Sequence, residues 1–420
     1  MSMSIGYAKR DPWPTWQEEL LLRAALLRGP EALAAWAQWK STIDFDDIDS
    51  ESYRLVPRLY CSLRDQGVSD PLLGRLRGIY RRTWYQNQLR FHAMARPLRL
   101  LHAAGIPSML LKGAALVLQY YRDYGMRPMT DFDICVPGNQ ASSAIQLLRG
   151  NGFTPCGAPE DALLDATAHP DRHSEMEFHD AAGHEFDVHW RLFPESIAPD
   201  VSAPFWQDTV EMDALGTPTR ALRPADQLLH VCVHGIVRGA IGFEVSRVRW
   251  VMDVMTILST SGEALDWTRL LAQAGRCGFI PPLRAGLTYV RRTLDGPIPD
   301  RVLQQLRAMP VPLTDRIVHA ARIEPPERWG PLLTVCVGYL DHSRSLPPGT
   351  GALRTLAGMP GYYRRRWRVQ RGWSLPFDLA VRGVRRVGWT VRRYGLGWAS
   401  RRARRLLSAP ARFSAKAEKR

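Results

Sequence analysis

The chain has 420 residues, 45% of them hydrophobic, which is enough for two or three domains with real cores. Its six cysteines include no Cys-x-x-Cys pair, which excludes a disulfide framework and a zinc ribbon and suits a reducing cytosol. The net charge of +15 belongs to the tail: residues 361–420 hold 18 basic residues against Asp378 and Glu418, and the remainder of the chain is close to neutral.

The first elements read as helices. Trp16 opens one after Pro14, and Pro30 starts another near Leu33 and Trp36. Residues 53–66 and 72–102 continue with Leu, Tyr and Trp recurring at three or four. Met1–Trp16 carries no apolar signal core, and no run approaches 18 uninterrupted apolar residues. The expected location is therefore cytoplasmic, or peripheral at the inner membrane face.

From residue 106 the pattern alternates. Ile106–Leu111 reads as a short strand, Gly113–Tyr121 as a helix, Asp131–Val136 as a strand and Gln140–Gly150 as a helix. A further strand begins at Gly152-Phe153-Thr154, and the segment 156–172, rich in Pro, Ala and Asp, reads as a loop. Ser174–Phe178 and His184–Trp190 pair as a hairpin across His179-Asp180-Ala181-Ala182-Gly183. A second β-rich piece spans Thr209–Leu222 and turns at Gly216-Thr217-Pro218; from Pro224 the pattern is helical to about residue 345. Pro347-Pro348-Gly349-Thr350-Gly351 reads as a linker.

Asp131-Phe132-Asp133 places two carboxylates on one face of the expected strand, with Phe132, Ile134 and Val136 on the other. Like charges that close are tolerated most easily around a cation, which points to magnesium. Lys112-Gly113, at a strand-to-helix junction, offers free N–H groups to phosphates. In the later hairpin Glu185, Asp187 and His189 share the face opposite Phe186, Val188 and Trp190. Asp187 can stand beside Asp131 and Asp133 on a neighbouring strand. Three acids from two strands can hold two divalent ions for in-line phosphoryl transfer. Glu177 and Glu185 compete with Asp187 if the register differs. His189 touches substrate or orients a carboxylate. His169, His173, His179, His184 and His189 fit no standard zinc spacing. His230 and His234 lack the glutamate of a metalloprotease motif and read as helix packing.

The set Leu111-Lys112-Gly113, Tyr120-Tyr121, Gly125-Met126-Arg127, Asp131-Phe132-Asp133 and Phe186-Asp187-Val188-His189-Trp190 resembles the nucleotidyltransferase-like proteins of the DNA polymerase β superfamily. It is most similar to their largely uncharacterised bacterial branch, in which Leu-Lys-Gly replaces the usual Gly-Gly or Gly-Ser. His230, His234 and Arg249–Asp253 resemble that branch's later helical part. The likeness covers roughly residues 95–260. It implies an α/β (α+β) fold, a minimal polymerase-β-like core with a mixed sheet flanked by helical regions. With the pattern along the rest of the chain, this divides it into a helical region 1–102, a nucleotidyltransferase core 103–222, a helical domain 223–346, and a linker with basic tail 347–420.

The resemblance also implies transfer of a nucleoside monophosphate from an NTP to an acceptor, with two Mg²⁺ ions, or Mn²⁺, on Asp131, Asp133 and Asp187. Lys112, Gly113 and Arg127, with Arg122 as the lesser choice, would hold the triphosphate. Ala114 and Ala115 supply no hydroxyl after Gly113, so Lys112 compensates for the usual serine. A small molecule, a peptide and a protein side chain all stand as acceptors. In the tail, Val384, Val387, Val391, Tyr394 and Trp398 recur at three and four, opposite Arg382, Arg385, Arg386, Arg392 and Arg393. That pattern suits an anionic membrane surface, or RNA. The rival function is a non-catalytic adaptor of the same fold, held on membrane or RNA by this tail.

Overall fold

The computed structural model describes residues 12–156, 174–193, 201–238 and 246–313, with 315, 316, 319, 320 and 358. The chain forms two compact units, residues 1–323 and 324–420. The loop at 156–172 (apart from Cys156), the linker and the tail helix expected from sequence lie outside the described residues.

The N-terminal helices are α1 (Trp16–Leu26), α2 (Pro30–Thr42), α3 (Ser50–Tyr53), α4 (Val56–Asp65) and the 31-residue α5 (Leu73–Ala103). Thr15 and Glu18 start α1 with a reciprocal capping box, and Pro30 occupies the first turn of α2, where its missing N–H costs nothing. The middle of the unit holds β1 (Met109–Leu110), α6 (Lys112–Leu116), β2 (Asp133–Cys135), α7 (Ala141–Gly150), β3 (Thr154–Pro155), β4 (Glu175–His179) and β5 (Glu185–His189). A π turn over Val117–Tyr121 extends α6. Then follow α8 (Ala203–Gln207), β6 (Thr209–Ala214) and β7 (Thr217–Leu222). The helices α9 (Pro224–Val233), α10 (Arg247–Ser261), α11 (Trp267–Cys277), α12 (Ile280–Leu294) and α13 (Asp300–Ala308) close the unit.

The strands make one mixed sheet in the order β3-β4-β5-β2-β1-β7-β6, in an α/β architecture as the sequence implied. β2 and β5 are parallel, as are β1 and β7; the remaining neighbours are antiparallel. The two faces bury different cores. Leu110, Ile134, Val136, Phe186 and Val188 pack with Phe91, Met94 and Leu98 of α5 and with Ile145 and Leu148 of α7. Met109, Leu111, Cys135 and Leu222 pack instead with the helical region, which includes Leu21 and Leu22 of α1 and Val251 of α10. Residues 21 to 306 share this second core, so the segments expected at 1–102, 103–222 and from 223 onward meet in one unit.

One expected element is shorter than its sequence pattern. The strand read over Asp131–Val136 contracts to Asp133–Cys135. The chain before it is held by Asn87 of α5, whose side-chain amide donates to the Tyr124 and Arg127 carbonyls at 2.7 and 2.8 Å. Asp131 therefore belongs to the entering loop, although Phe132, Ile134 and Val136 share one core as the alternation predicts. Cys61, Cys135, Cys156, Cys232 and Cys277 are all unpaired. No helix among the described residues is long and apolar enough to cross a membrane.

Candidate active site

Register builds the site. On β2 and β5, Asp133 lies opposite Asp187 and Cys135 opposite His189. On β5 and β4, Asp187 lies opposite Glu177 and His189 opposite Glu175. Paired residues project from one face of a sheet, and so do residues two apart on a strand. Two rows result: Asp133, Asp187 and Glu177 in one, Cys135, His189 and Glu175 in the next. Ligand atoms of Asp133, Asp187 and His189 all lie within 4.8 Å of one another.

Lys112 reaches this group from the end of β1. The Leu111 N–H donates to the Asp133 carbonyl at 3.1 Å, so the next residue leaves the sheet beside that aspartate. The Lys112 ammonium donates to Asp133 Oδ1 and sits 3.4 Å from His189 Nε2. Its backbone is left-handed, φ 43°, an uncommon conformation for a side-chain-bearing residue. Gly113 follows because there is no room for more: a Cβ there would stand 2.7 Å from Arg127 Nη1.

His189 uses both ring nitrogens. Nε2 is 2.7 Å from Asp133 Oδ1 and Nδ1 is 3.0 Å from Glu175 Oε2. Burial and the Lys112 charge both disfavour a protonated ring; the bonds to Asp133 and Glu175 outweigh them and raise its pKa. The ring bridges the two carboxylates, orienting Asp133 and itself oriented by Glu175.

The two aspartates are pushed apart in acidity. Burial works against charge on Asp133, but Lys112 and His189 prevail and hold it well below the ordinary carboxylate range. Burial and then the Asp133 charge raise Asp187 to about 6. Asp133 Oδ2 is buried and has no hydrogen-bond partner. A crowded carboxylate pair with one oxygen unspent is a donor set that a divalent cation satisfies.

The other expected residues are distributed around this centre. Asp131 is half-buried in the loop and lies outside the three-residue group; its charge supports the half-buried Arg90 guanidinium. Arg127 is 4% exposed and committed to Asp253 of α10, through Nε to Oδ1 at 2.7 Å and Nη2 to Oδ2 at 2.8 Å. Two of its three nitrogens are thus spent on Asp253, and Nη1 lies against Gly113. Arg122 is exposed, left-handed, and ends the π turn. Glu177 and Glu185 are both exposed. His230 is buried against Phe193, with ring centroids 5.6 Å apart, and stacks on His234 at 6.0 Å. His179 and His184 bond to Asp180 near the hairpin turn, and His169 and His173 lie outside the described residues.

The roles of Glu175 as the partner of His189 and of Asp253 as the partner of Arg127 escaped the sequence reading. Glu175 carried a usable signal: once the hairpin turn is fixed at Asp180–His184, strand counting sets it opposite His189. The resemblance included Asp253 but not its pairing, since 126 residues separate it from Arg127.

Comparison with protein-family models matches residues 50–295, more than half of the chain, to a family described as uncharacterised nucleotidyltransferase. A search of curated proteins finds no match to the chain.

Proposed function

We propose, from the premise that the chain belongs to the uncharacterised nucleotidyltransferase family, that it moves a nucleoside monophosphate from an NTP to an acceptor at the Asp133–Asp187 site. The observation that carries the reading is the side-by-side register of these aspartates, with a buried oxygen of Asp133 unpartnered.

Asp133 and Asp187 would hold a divalent ion, Mg²⁺ or Mn²⁺, with Asp131 joining from the loop when a nucleotide brings a second. Such ions neutralise phosphate charge and favour in-line displacement. The protein's own groups do the positioning. His189 keeps Asp133 ionised and aimed, and Glu175 fixes the ring. Lys112 is the cation nearest both, and phosphate oxygens would draw it from Asp133. Gly113, packed closely against Arg127 and Met129, would join Lys112 at the phosphates through its backbone N–H. Arg127 acts at one remove, fixing the loop that ends in Asp131. A cytoplasmic setting, and membrane or RNA contacts through the tail, belong to the same proposal.

The adaptor reading has one observation in its favour: Lys112 already neutralises Asp133. Calorimetric titration separates the two. Mn²⁺ or Mg²⁺ alone, and then each NTP with the ion, should bind the parent protein. Asp133→Asn should weaken both by at least about a hundredfold, as loss of a metal-site group does. A parent chain that takes up neither ion nor NTP would sink the transferase reading and leave the adaptor.

A further inference from the structure

α5 is a basic helix with its aromatic residues in water. It carries seven arginines, Arg75, Arg77, Arg81, Arg82, Arg90, Arg96 and Arg99, and no acidic residue in 31 positions. A near-neutral body hides this concentration of charge. Arg77, Arg81, Arg82 and Arg99 are exposed and make no ion pair with a described residue. Among them stand Trp84, Tyr85 and Leu89, which are 44%, 60% and 46% exposed.

The opposite side of the helix is already used. Phe91, Met94, Leu98 and Leu101 are buried under the sheet, and Asn87 holds the loop that leads to Asp131. Phe91 also meets Phe132 edge-on, with centroids 5.2 Å apart. The exposed stripe therefore runs along the back of the element that supports the active-site loop. At 1.5 Å per residue the helix is about 46 Å long, enough to follow several nucleotides.

We propose that this exposed face of α5, on the far side of the helix from the loop carrying Asp131, docks single-stranded nucleic acid. Charge complementarity selects a polyanion, because the surface offers unpaired guanidinium groups and no carboxylate of its own. The exposed rings select a strand with open bases, since any base can stack on Tyr or Trp beside arginine. A lipid surface is the poorer occupant: an interfacial helix inserts its apolar side, and the apolar side of α5 is buried in the protein.

The test uses the full chain and a labelled single-stranded oligonucleotide, as RNA and as DNA, without NTP or divalent ion. Arg77→Gln/Arg81→Gln/Arg82→Gln should flatten the slope of log affinity against log salt by about 2, at roughly 0.7 per lost phosphate contact. Trp84→Ala/Tyr85→Ala should weaken binding about tenfold or more, the loss expected from one stacked base. The basic tail is present in every protein compared, so the differences report α5 alone. Unchanged affinity and slope in both variants would overturn the proposal. So would loss of binding to anionic vesicles in the arginine variant with oligonucleotide binding intact. Because no NTP is present, these results stand apart from the reading of the active site.

Discussion

At the scale of single residues, Asp187 is held at a cost. Its folded-state pKa is raised from 3.8 to about 6 by burial and by the neighbouring Asp133. A carboxylate raised in this way stabilises the fold when protonated; the gain is complete below 3.8 and disappears as pH rises through about 6. At pH 8 the metal-free protein bears the full penalty. Asp187→Asn should then stabilise it by on the order of 1–3 kcal/mol, with the advantage vanishing by about pH 4. Denaturant midpoints of the two metal-free proteins at pH 8 and pH 4 check this. Equal stability at pH 8 would remove the case for a strained carboxylate. The sequence made Asp133 and Asp187 visible because each sits in an alternating apolar run. It began the strand two residues early, at Asp131, since the alternation of Asp-Phe-Asp-Ile is the same whether or not the first residue belongs to the strand.

Elements position these residues more than their own propensities do. β1 has two residues and β2 three, and both hold their place because neighbouring strands and α5 surround them. Asn87 is the link between α5 and the loop before β2. Asn87→Ala removes two hydrogen bonds from a buried amide, a loss of about 1–3 kcal/mol. The expected result is a weaker NTP affinity with metal-only binding nearly unchanged, because the loop moves and Asp133 and Asp187 do not. Parallel titrations of metal and of NTP with metal measure the split; equal losses in both would place Asn87 under the whole site. Long helices with caps or an opening proline, such as α1 and α2, were legible in the sequence. So was the β4–β5 hairpin, with Phe186 and Val188 inward. The π turn after α6 was not, since its Val-Leu-Gln-Tyr-Tyr continues an ordinary helical pattern.

Across the whole molecule, the Arg127–Asp253 pair fastens the sheet region to α10, and Tyr121 donates to the same Asp253 Oδ1 at 2.8 Å. Breaking a buried pair on one side strands the other charge. Arg127→Met should cost about 3–5 kcal/mol, and Arg127→Met/Asp253→Leu should recover most of it, short of the bond that Tyr121 loses. Unfolding curves for the cycle test this; a double variant as unstable as the single one would show that packing, and not charge, sets the loss. Contacts across 126 residues leave no local trace, which is why the sequence showed the site's core but not its fastening.

The N-terminal helix draws the same distance further. Trp250 donates to the Pro12 carbonyl at 3.0 Å, Arg247 bonds Glu18 at 2.8 Å, and Tyr289 donates to Glu19 at 2.9 Å. α1 is thus completed by helices that are synthesised more than two hundred residues later. At 5–20 residues per second, that is a wait of roughly 10–50 seconds. Throughout it Leu21 and Leu22 have no native partner on α10 or α12. Such a nascent chain is a natural client for chaperones that hold apolar segments during translation, and faster translation should raise its yield when they are scarce.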